Sequence, residues 1–324
     1  MEWADFFLVA TTTLGFIITC KHLIHVLNWV WVMFLRLPKQ LKQYGSWAVI
    51  TGSTDGIGKA MSFELASQGL NLLLIGRNPT KLEATSKEIR DKYHVEVKIL
   101  VLDMQYVKGE EMGKLIVEAI DGLDVGLVVN SAGLAYPYAR FFHEVDAELM
   151  DAVVKVNVEG LTWVTKAVLP GMIKKKKGAI VNIGSGSTFV LPSYPLVTLY
   201  AATKAYLAMF SRCISLEYKH HGIDIQCQIP LFVSTKMSKM GSSLFVPTPE
   251  MYSKSCTRWI GYENLVVPYF LHSLQGFLIS AIPDALVDSF MLRYFLYFRR
   301  RGFLKDSKIK GSKASSTSEA NITP

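Results

Sequence analysis

Tyr200 and Lys204 have the residue types and spacing needed to move a proton. They are four residues apart in a segment of helical period, which places the phenol and the ammonium on one helical face. A free tyrosine has a pKa of about 10, and a neighbouring fixed cation favours the phenolate and lowers that value. The pair is weak evidence alone, because such pairs are common on surfaces. It predicts an acid–base centre when other site residues accompany it.

Hydroxyl groups follow a later apolar run, in the segment Gly184-Ser185-Gly186-Ser187. This run is predicted to be the fifth strand of a sheet, so a serine here emerges at the carboxyl edge of that sheet. Ligands of open α/β folds bind at this edge. The segment therefore supplies a second group that can contact a substrate.

A glycine-rich loop lies between the first predicted strand and a predicted helix. Its three glycines let the backbone turn tightly and approach a pyrophosphate, and the helix N-terminus stabilises that negative charge. The strand–loop–helix context makes this a strong signal for a dinucleotide site. The predicted cofactor contacts in the loop are Gly52, Ser53, Thr54, Asp55, Gly56, Ile57 and Gly58.

The ends of the next strands indicate which dinucleotide binds. Arg77 follows the second strand, where an acidic residue would bind a ribose 2′-hydroxyl and an arginine instead meets a 2′-phosphate. Arg77, with Lys81 nearby, therefore favours NADPH over NADH. Asp103 ends the third strand and is predicted to bind the adenine amine. Asn130 ends the fourth strand, where the small residues after it allow close approach to a ribose.

The middle of the chain alternates apolar runs with stretches of helical period. Continuous apolar strands separated by helices indicate a parallel sheet covered on both faces. The predicted fold is α/β: a doubly wound, Rossmann-type parallel sheet in a single domain. The predicted strands are Trp47–Thr51, Leu72–Gly76, Lys98–Leu102, Gly126–Val129, Ala179–Ile183 and Asp224–Ile229.

These motifs, in this order, resemble the short-chain dehydrogenase/reductase family over residues 46–235. Segments such as Gln226-Cys227-Gln228-Ile229-Pro230 further resemble the microsomal very-long-chain 3-oxoacyl-CoA reductases, which are relatives of 17β-hydroxysteroid dehydrogenases. The resemblance implies that Tyr200 is the general acid and that Lys204 binds the nicotinamide ribose and lowers the phenol pKa. It implies that a serine polarises the carbonyl and that Asn157 anchors a water leading protons to Lys204.

The sequence departs from the family pattern at three places. Ser131 replaces the usual asparagine, which is expected to loosen the edge of the fourth strand or reduce activity. Pro230 is followed by Leu231 where glycine is common. Ser187 has the usual offset of thirteen residues before Tyr200, whereas Ser185 has the usual Gly-Ser-Gly context. We favour Ser185 as the catalytic serine and keep Ser187 as the alternative.

The function implied by the resemblance is NADPH-dependent reduction of a very-long-chain 3-oxoacyl-CoA in fatty acid elongation. The implied partners are a long-chain acyl-CoA substrate, a membrane, and the condensing enzyme, dehydratase and enoyl reductase of the elongation complex, with a homodimer left open. A 17β-hydroxysteroid dehydrogenase (ketosteroid reductase) and a weakly active scaffold are the alternatives. The net charge of +8 has no groove-reading motif beside it, so no nucleic-acid partner is predicted. No cysteine and histidine spacing predicts a metal.

The two ends of the chain differ from the middle. Residues 1–42 are apolar with basic residues at the close, which predicts a membrane anchor that leaves the following domain in the cytosol. The resemblance to the microsomal reductases implies that this membrane is the endoplasmic reticulum. The span is marginal in length, so an interfacial hairpin is the alternative. Residues 43–262 are the predicted NADP-binding domain, with a substrate cap from about residue 231. Residues 263–302 are predicted to be membrane-associated helices, and 303–324 a basic, polar, disordered tail.

Overall fold

Seven parallel strands form the centre of the fold, in a computed structural model that describes residues 3–320, with side chains as far as residue 304. The strand order is β3-β2-β1-β4-β5-β6-β7, which is the doubly wound arrangement that the alternating pattern predicts. The strands are β1 Trp47–Thr51, β2 Asn71–Gly76, β3 Val97–Val101, β4 Val125–Asn130, β5 Gly178–Ile183, β6 Ile223–Gln228 and β7 Leu265–Val266.

Both faces of the sheet are covered, which explains why its strands are continuously apolar. All residues of β1, β4 and β5 are buried. Alternate residues of β1 point to opposite faces: Ile50 belongs to one apolar cluster and Val49 to another. The helices that follow the strands are α2 Gly56–Ser67, α3 Pro79–Tyr93, α4 Gly109–Ile120, α5 Ala147–Val154, α6 Leu161–Lys175 and α7 Thr198–Tyr218.

The register of the central strands brings their carboxyl ends to a common edge. Thr51 at the end of β1 is paired with Asn130 of β4, and Asn130 is paired with Asn182 of β5. The predicted site segments all begin at this edge. The glycine-rich loop follows β1, the small-residue segment follows β4, and the serine segment follows β5.

The N-terminal unit, residues 1–38, is a separate compact part of the chain. Helix α1, Trp3–Val30, continues through a π-helical turn at Trp31–Leu35. The 33 residues of Trp3–Leu35 are long and apolar enough to cross a membrane, and their apolar window is fully exposed. At 1.5 Å per residue they extend about 50 Å, more than the hydrocarbon thickness of about 30 Å. The segment is therefore a continuous helix, and it does not form the interfacial hairpin that was the alternative.

Three helices follow β6, and the first of them packs against α2. Helix α8, Pro249–Thr257, buries Tyr252 and Cys256 in the same cluster as Leu65 of α2. Helices α9, Phe270–Ser280, and α10, Asp284–Ala320, are the helices predicted from the apolar run at residues 263–302. The predicted disordered tail begins at residue 303, and its side chains from residue 305 lie outside the described residues, so that expectation stays a prediction.

Candidate active site

The glycine-rich loop has a backbone conformation that favours glycine at two positions. Gly52 and Gly56 have positive φ angles of +68° and +52°. A Cβ on Gly52 would lie 2.9 Å from the backbone of Ala132, and one on Gly58 would lie 2.3 Å from the Gly52 carbonyl oxygen. The loop is therefore a cradle of bare backbone at the N-terminus of α2. This arrangement fits a dinucleotide pyrophosphate, as the sequence predicts.

Asp55 caps α2 and is neutralised by two lysines. Its Oδ1 accepts a hydrogen bond from the Gly56 amide at 2.9 Å, while Oδ2 lies 2.7 Å from Lys236 Nζ and 3.9 Å from Lys81 Nζ. Partial burial raises the pKa of Asp55, but the bonds from Lys236 and Gly56 outweigh it and hold that pKa below its usual range. The carboxylate is thus ionised beside a site for a negatively charged group, and the lysines offset its repulsion.

Arg77 lies at the end of β2 next to this loop. A Cβ on Gly76 would be 3.2 Å from the Thr54 methyl group, so the end of β2 adjoins the cradle. Arg77 is exposed, and none of the ion pairs found among the described side chains involves it. Asp103 is half-buried, and its Oδ1 accepts a hydrogen bond from the Gln105 amide at 3.0 Å. Both side chains stand where the sequence places them, at strand ends along the same edge.

The side chains of two predicted contact residues, Ser53 and Asn130, point away from this edge. The Ser53 hydroxyl donates to the Ile75 carbonyl at 3.2 Å and is fully buried. The Asn130 amide donates to Asn182 Oδ1 at 2.9 Å, inside the protein. Ser53 and Asn130 could therefore contact a cofactor through backbone atoms only. Their polar side chains stabilise the neighbouring strands instead.

The edge of β4 is tied to β1 by a residue that the sequence reasoning did not single out. The Thr51 hydroxyl oxygen accepts hydrogen bonds from the amides of Ser131 and Ala132, each at 3.1 Å. Ser131 is the position where the family pattern has asparagine, and a looser strand edge was expected there. The two bonds to Thr51 instead hold the segment next to Gly52.

Ser187 donates hydrogen bonds to Ser185, and Ser185 is the side chain that affects the pKa of the Tyr200 phenol. The hydrogen bond from Ser185 lowers the pKa of Tyr200, although burial has the larger effect and raises it overall. The Ser187 hydroxyl and amide both donate to the Ser185 oxygen, at 3.0 and 3.2 Å. With its oxygen accepting two bonds, Ser185 has its own proton left to donate. The geometry thus gives the two serines different roles.

Lys204 is buried behind Tyr200, with 5% of its surface exposed. Its Nζ donates to the Ile183 carbonyl at 2.8 Å and lies 5.8 Å from the centre of the Tyr200 ring. Burial lowers the pKa of Lys204 to about 8. Lys204 was expected to lower the pKa of the Tyr200 phenol, but in this structure the contribution that lowers it comes from Ser185. The pKa of the buried Lys204 ammonium itself lies close to neutral pH.

Asn157 connects helix α7, which carries Tyr200 and Lys204, to the segment after β4. It lies in a π-helical turn, Lys155–Gly160, and is 1% exposed. Its Oδ1 accepts from the Leu134 amide at 2.7 Å, and its Nδ2 donates to the Leu134 carbonyl and to Thr203 Oγ1, both at 2.9 Å. Asn157 therefore positions Thr203, the residue before Lys204, as π-turns at functional sites often do. Its expected role in anchoring a water stays a prediction.

A second polar contact sets the position of the chain after β6. His272 of α9 is buried; its Nδ1 accepts from the Leu231 amide at 3.2 Å, and its Nε2 lies 3.1 Å from the Phe232 carbonyl. Burial lowers the pKa of His272 to about 4. A neutral ring with Nε2 as the donor satisfies both contacts. His272 thus fixes Leu231, whose side chain lies against Gly186 in the serine segment.

Helix α10 covers the substrate side of the site, which the sequence did not predict. Its residues Val287, Met291 and Phe295 are buried in one cluster with Tyr136, and Tyr200 packs against that cluster. Arg299 forms a bidentate pair with Glu144, and Ser193 donates to Asp288 at 2.5 Å. The residues predicted to be only membrane-associated therefore also form an apolar cover, while α8 of the predicted cap packs on α2.

The sequence contained signals for some of these residues but not for others. Thr51 and Thr203 are adjacent to the motifs and could have been found from that position. Lys236 and His272 lie far along the chain from their partners, and nothing in their local sequence marks them. Among the described residues, no group of three or more His, Cys, Asp or Glu side chains could hold a metal ion.

The fold and this constellation define a dinucleotide-dependent oxidoreductase. Residues 46–243 match the family model described as short chain dehydrogenase, and the chain belongs to that family. It is 46% identical to a very-long-chain 3-oxoacyl-CoA reductase-like protein of Arabidopsis thaliana, over 89% of this chain and 93% of that protein. It is 39% identical to the human very-long-chain 3-oxoacyl-CoA reductase, over 74% of this chain and 76% of the relative.

Other relatives differ in their stated activity. The chain is 40% identical to the human inactive hydroxysteroid dehydrogenase-like protein 1, over 76% of this chain and 75% of that protein. Among solved structures, a 7β-hydroxysteroid dehydrogenase has a TM-score of 0.69 at 23% identity, over 78% of this chain and 98% of the other. A Sphingobium yanoikuyae short-chain dehydrogenase in complex with NADPH has a TM-score of 0.60 at 24% identity, over 74% and 97%. At these identities the structures show the fold alone.

Proposed function

We propose that this protein uses NADPH to reduce the 3-oxo group of a very-long-chain 3-oxoacyl-CoA. The observation that carries the proposal is the buried Lys204 ammonium 5.8 Å from the Tyr200 ring, with Ser185 lowering the pKa of that phenol. The chain is 46% identical to a protein named very-long-chain 3-oxoacyl-CoA reductase-like. The apolar cover provided by α10 suits a long acyl chain. An exposed Arg77 at the end of β2 suits the 2′-phosphate of NADPH.

The protein's own residues supply the proton and the positioning. NADPH, when bound in the glycine cradle, supplies the hydride that goes to the carbonyl carbon. Tyr200 gives its phenolic proton to the carbonyl oxygen, and Ser185 donates a hydrogen bond to the same oxygen as negative charge develops there. Lys204 would hold the nicotinamide ribose of a bound cofactor, and it would return a proton to Tyr200 and take one from solvent in its place. Asn157 keeps α7 in place through Thr203.

The proposed setting is the cytosolic face of the endoplasmic reticulum, with α1 as the anchor. Basic residues follow α1, which favours a cytosolic domain. The proposed partners are the condensing enzyme, dehydratase and enoyl reductase of fatty acid elongation, because a 3-oxoacyl-CoA is made and its 3-hydroxy product used by such steps. A homodimer is compatible with this setting.

The test is NADPH oxidation by purified full-length protein with a very-long-chain 3-oxoacyl-CoA and with a 17-ketosteroid. We expect turnover of the acyl-CoA, and its loss in Tyr200→Phe, which keeps the ring but has no proton to give. Turnover of the steroid alone supports the second candidate, a ketosteroid reductase. Turnover of neither supports a scaffold, for which the relative named inactive and Ser131 are the supporting observations. Undiminished turnover in Tyr200→Phe contradicts the mechanism.

A further inference from the structure

Helices α9 and α10 expose apolar side chains around the turn that joins them and along α10. We call this set the hairpin surface. Its members are each between 44% and 68% exposed, although the two helices belong to the same compact unit as the sheet. Large apolar patches exposed on a protein in water mark sites that something covers. The hairpin surface consists of Phe277, Leu278, Ile282, Leu286, Phe290 and Tyr297.

Helix α10 has two apolar faces with different surroundings. Val287, Met291 and Phe295, four residues apart, form the buried face that packs on the catalytic domain. Leu286, Phe290 and Tyr297 recur at helical spacing on another face and are exposed. The first face attaches the helix to the domain. The second face is the one that a partner can reach.

Exposed basic side chains lie beside this outer face. Arg293 and Arg300 are exposed, and Arg301 donates to the Tyr297 hydroxyl at 3.3 Å. Aromatic and aliphatic side chains next to arginines are typical of helices that lie in a membrane interface, where the apolar groups enter the acyl region and the cations meet anionic headgroups. The charge of the surface therefore favours a lipid surface with anionic headgroups as its occupant.

The shape of the hairpin is consistent with lying in one leaflet. Phe270–Ser280 and Asp284–Leu304 reach the hydropathy of a membrane span only as a pair, and they meet at an angle of 119°. A bend of this size does not give a straight crossing. We propose that the hairpin surface docks into the interface of an anionic bilayer, as a membrane contact additional to α1 and next to the cover of the active site.

The test places a fluorophore on the surface of the full-length protein in lipid vesicles. Phe290→Cys carries an environment-sensitive nitrobenzoxadiazole label, with Cys20 and Cys213 replaced by serine because the other two cysteines are buried. Lys87→Cys, on the exposed face of α3, is the matched control. Since α1 remains present in both proteins, both are recovered with vesicles of phosphatidylcholine containing a minor fraction of phosphatidylserine.

We expect blue-shifted emission at position 290, quenched by lipids with a spin label near the headgroup end of the acyl chain, and neither effect at position 87. A blue shift that lipid quenchers leave unchanged would show that protein, such as a second copy of this chain, covers the surface, and would overturn the proposal. Equal water exposure at both positions would also overturn it.

The charge argument has its own test. The double variant Arg293→Glu, Arg300→Glu should reduce lipid quenching at position 290 in vesicles containing phosphatidylserine, and Lys87→Glu should not. Unchanged quenching in the double variant would contradict the assignment of anionic headgroups. These readouts measure membrane contact and not turnover, so they stand or fall independently of the proposed substrate.

Discussion

Replacing Ser185 with alanine should remove most of the catalytic activity, whereas replacing Ser187 should not. Ser185 is the serine that lowers the pKa of Tyr200, and its oxygen already accepts two hydrogen bonds from Ser187. Its one proton is therefore the donor that turns from Tyr200 to the carbonyl oxygen when a substrate is bound. Ser187 instead supplies support, because its own hydroxyl proton is used on Ser185.

The expected magnitudes follow from what each variant removes. Ser185→Ala deletes a donor to the developing oxyanion, and loss of one such donor typically costs about 10²–10³ in kcat. It also removes the bond that lowers the pKa of Tyr200, in a site where burial already raises that pKa. Ser187→Ala deletes a hydrogen bond between two neutral groups, which contributes about 1 kcal/mol, or about fivefold.

The assay is NADPH oxidation at saturating substrate, with both variants and wild type in the same lipid or detergent. Thermal unfolding of each protein serves as the control for folding. Near-wild-type turnover in Ser185→Ala, together with a loss of two or more orders of magnitude in Ser187→Ala, would refute this assignment and make Ser187 the catalytic serine.

Three further predictions concern the cofactor site and the cover. Arg77→Asp should weaken NADPH binding by about 10- to 100-fold, because a hydrogen bond to a charged group contributes about 1.5–3 kcal/mol. Titration with both cofactors measures this effect, and an equal weakening of NADH binding would contradict the role of Arg77. Lys236→Ala should weaken NADPH binding by up to about fivefold, a small effect because the Lys236–Asp55 pair is exposed. The effect should vanish when Asp55→Asn is also present, because Lys236 acts through the Asp55 carboxylate. Because burial lowers the pKa of His272 from 6.5 to about 4, stability is retained above pH 6.5 and lost as the pH falls towards 4. Thermal unfolding should show a loss of about 2 kcal/mol between about pH 7.5 and pH 5, and a loss of the same size in His272→Gln would contradict the assignment.

The sheet was predictable because its signals are local. Each strand is a short apolar run, and the six predicted runs match six of the seven strands to within one or two residues. β7 was missed because two residues carry no periodicity. The glycine cradle was predictable for a similar reason: the positive φ angles at Gly52 and Gly56 favour glycine, so the residue types themselves indicate the conformation.

The side-chain partners were less predictable than the motifs. Asn130 has the residue type of a ligand contact, yet its amide bonds Asn182 inside the sheet. The bonds from the Asn157 side chain to Leu134 and Thr203 were not foreseen, because both partners lie on other segments of the chain. Residue type states which bonds a side chain can make. Its direction depends on neighbours from other elements.

The amino-acid sequence by itself determined the parallel sheet, the cofactor loop, the apolar N-terminal helix and the spacing of Tyr200 and Lys204, since hydrophobic period, backbone freedom and helical repeat act over a few residues. Only the tertiary structure decided that Ser185 bonds the phenol and that burial opposes both ionised groups. It also decided that α10 covers the site with one face and leaves another exposed. These features depend on contacts between residues up to 155 positions apart, as between Arg299 and Glu144, and on how far packing removes each polar group from water.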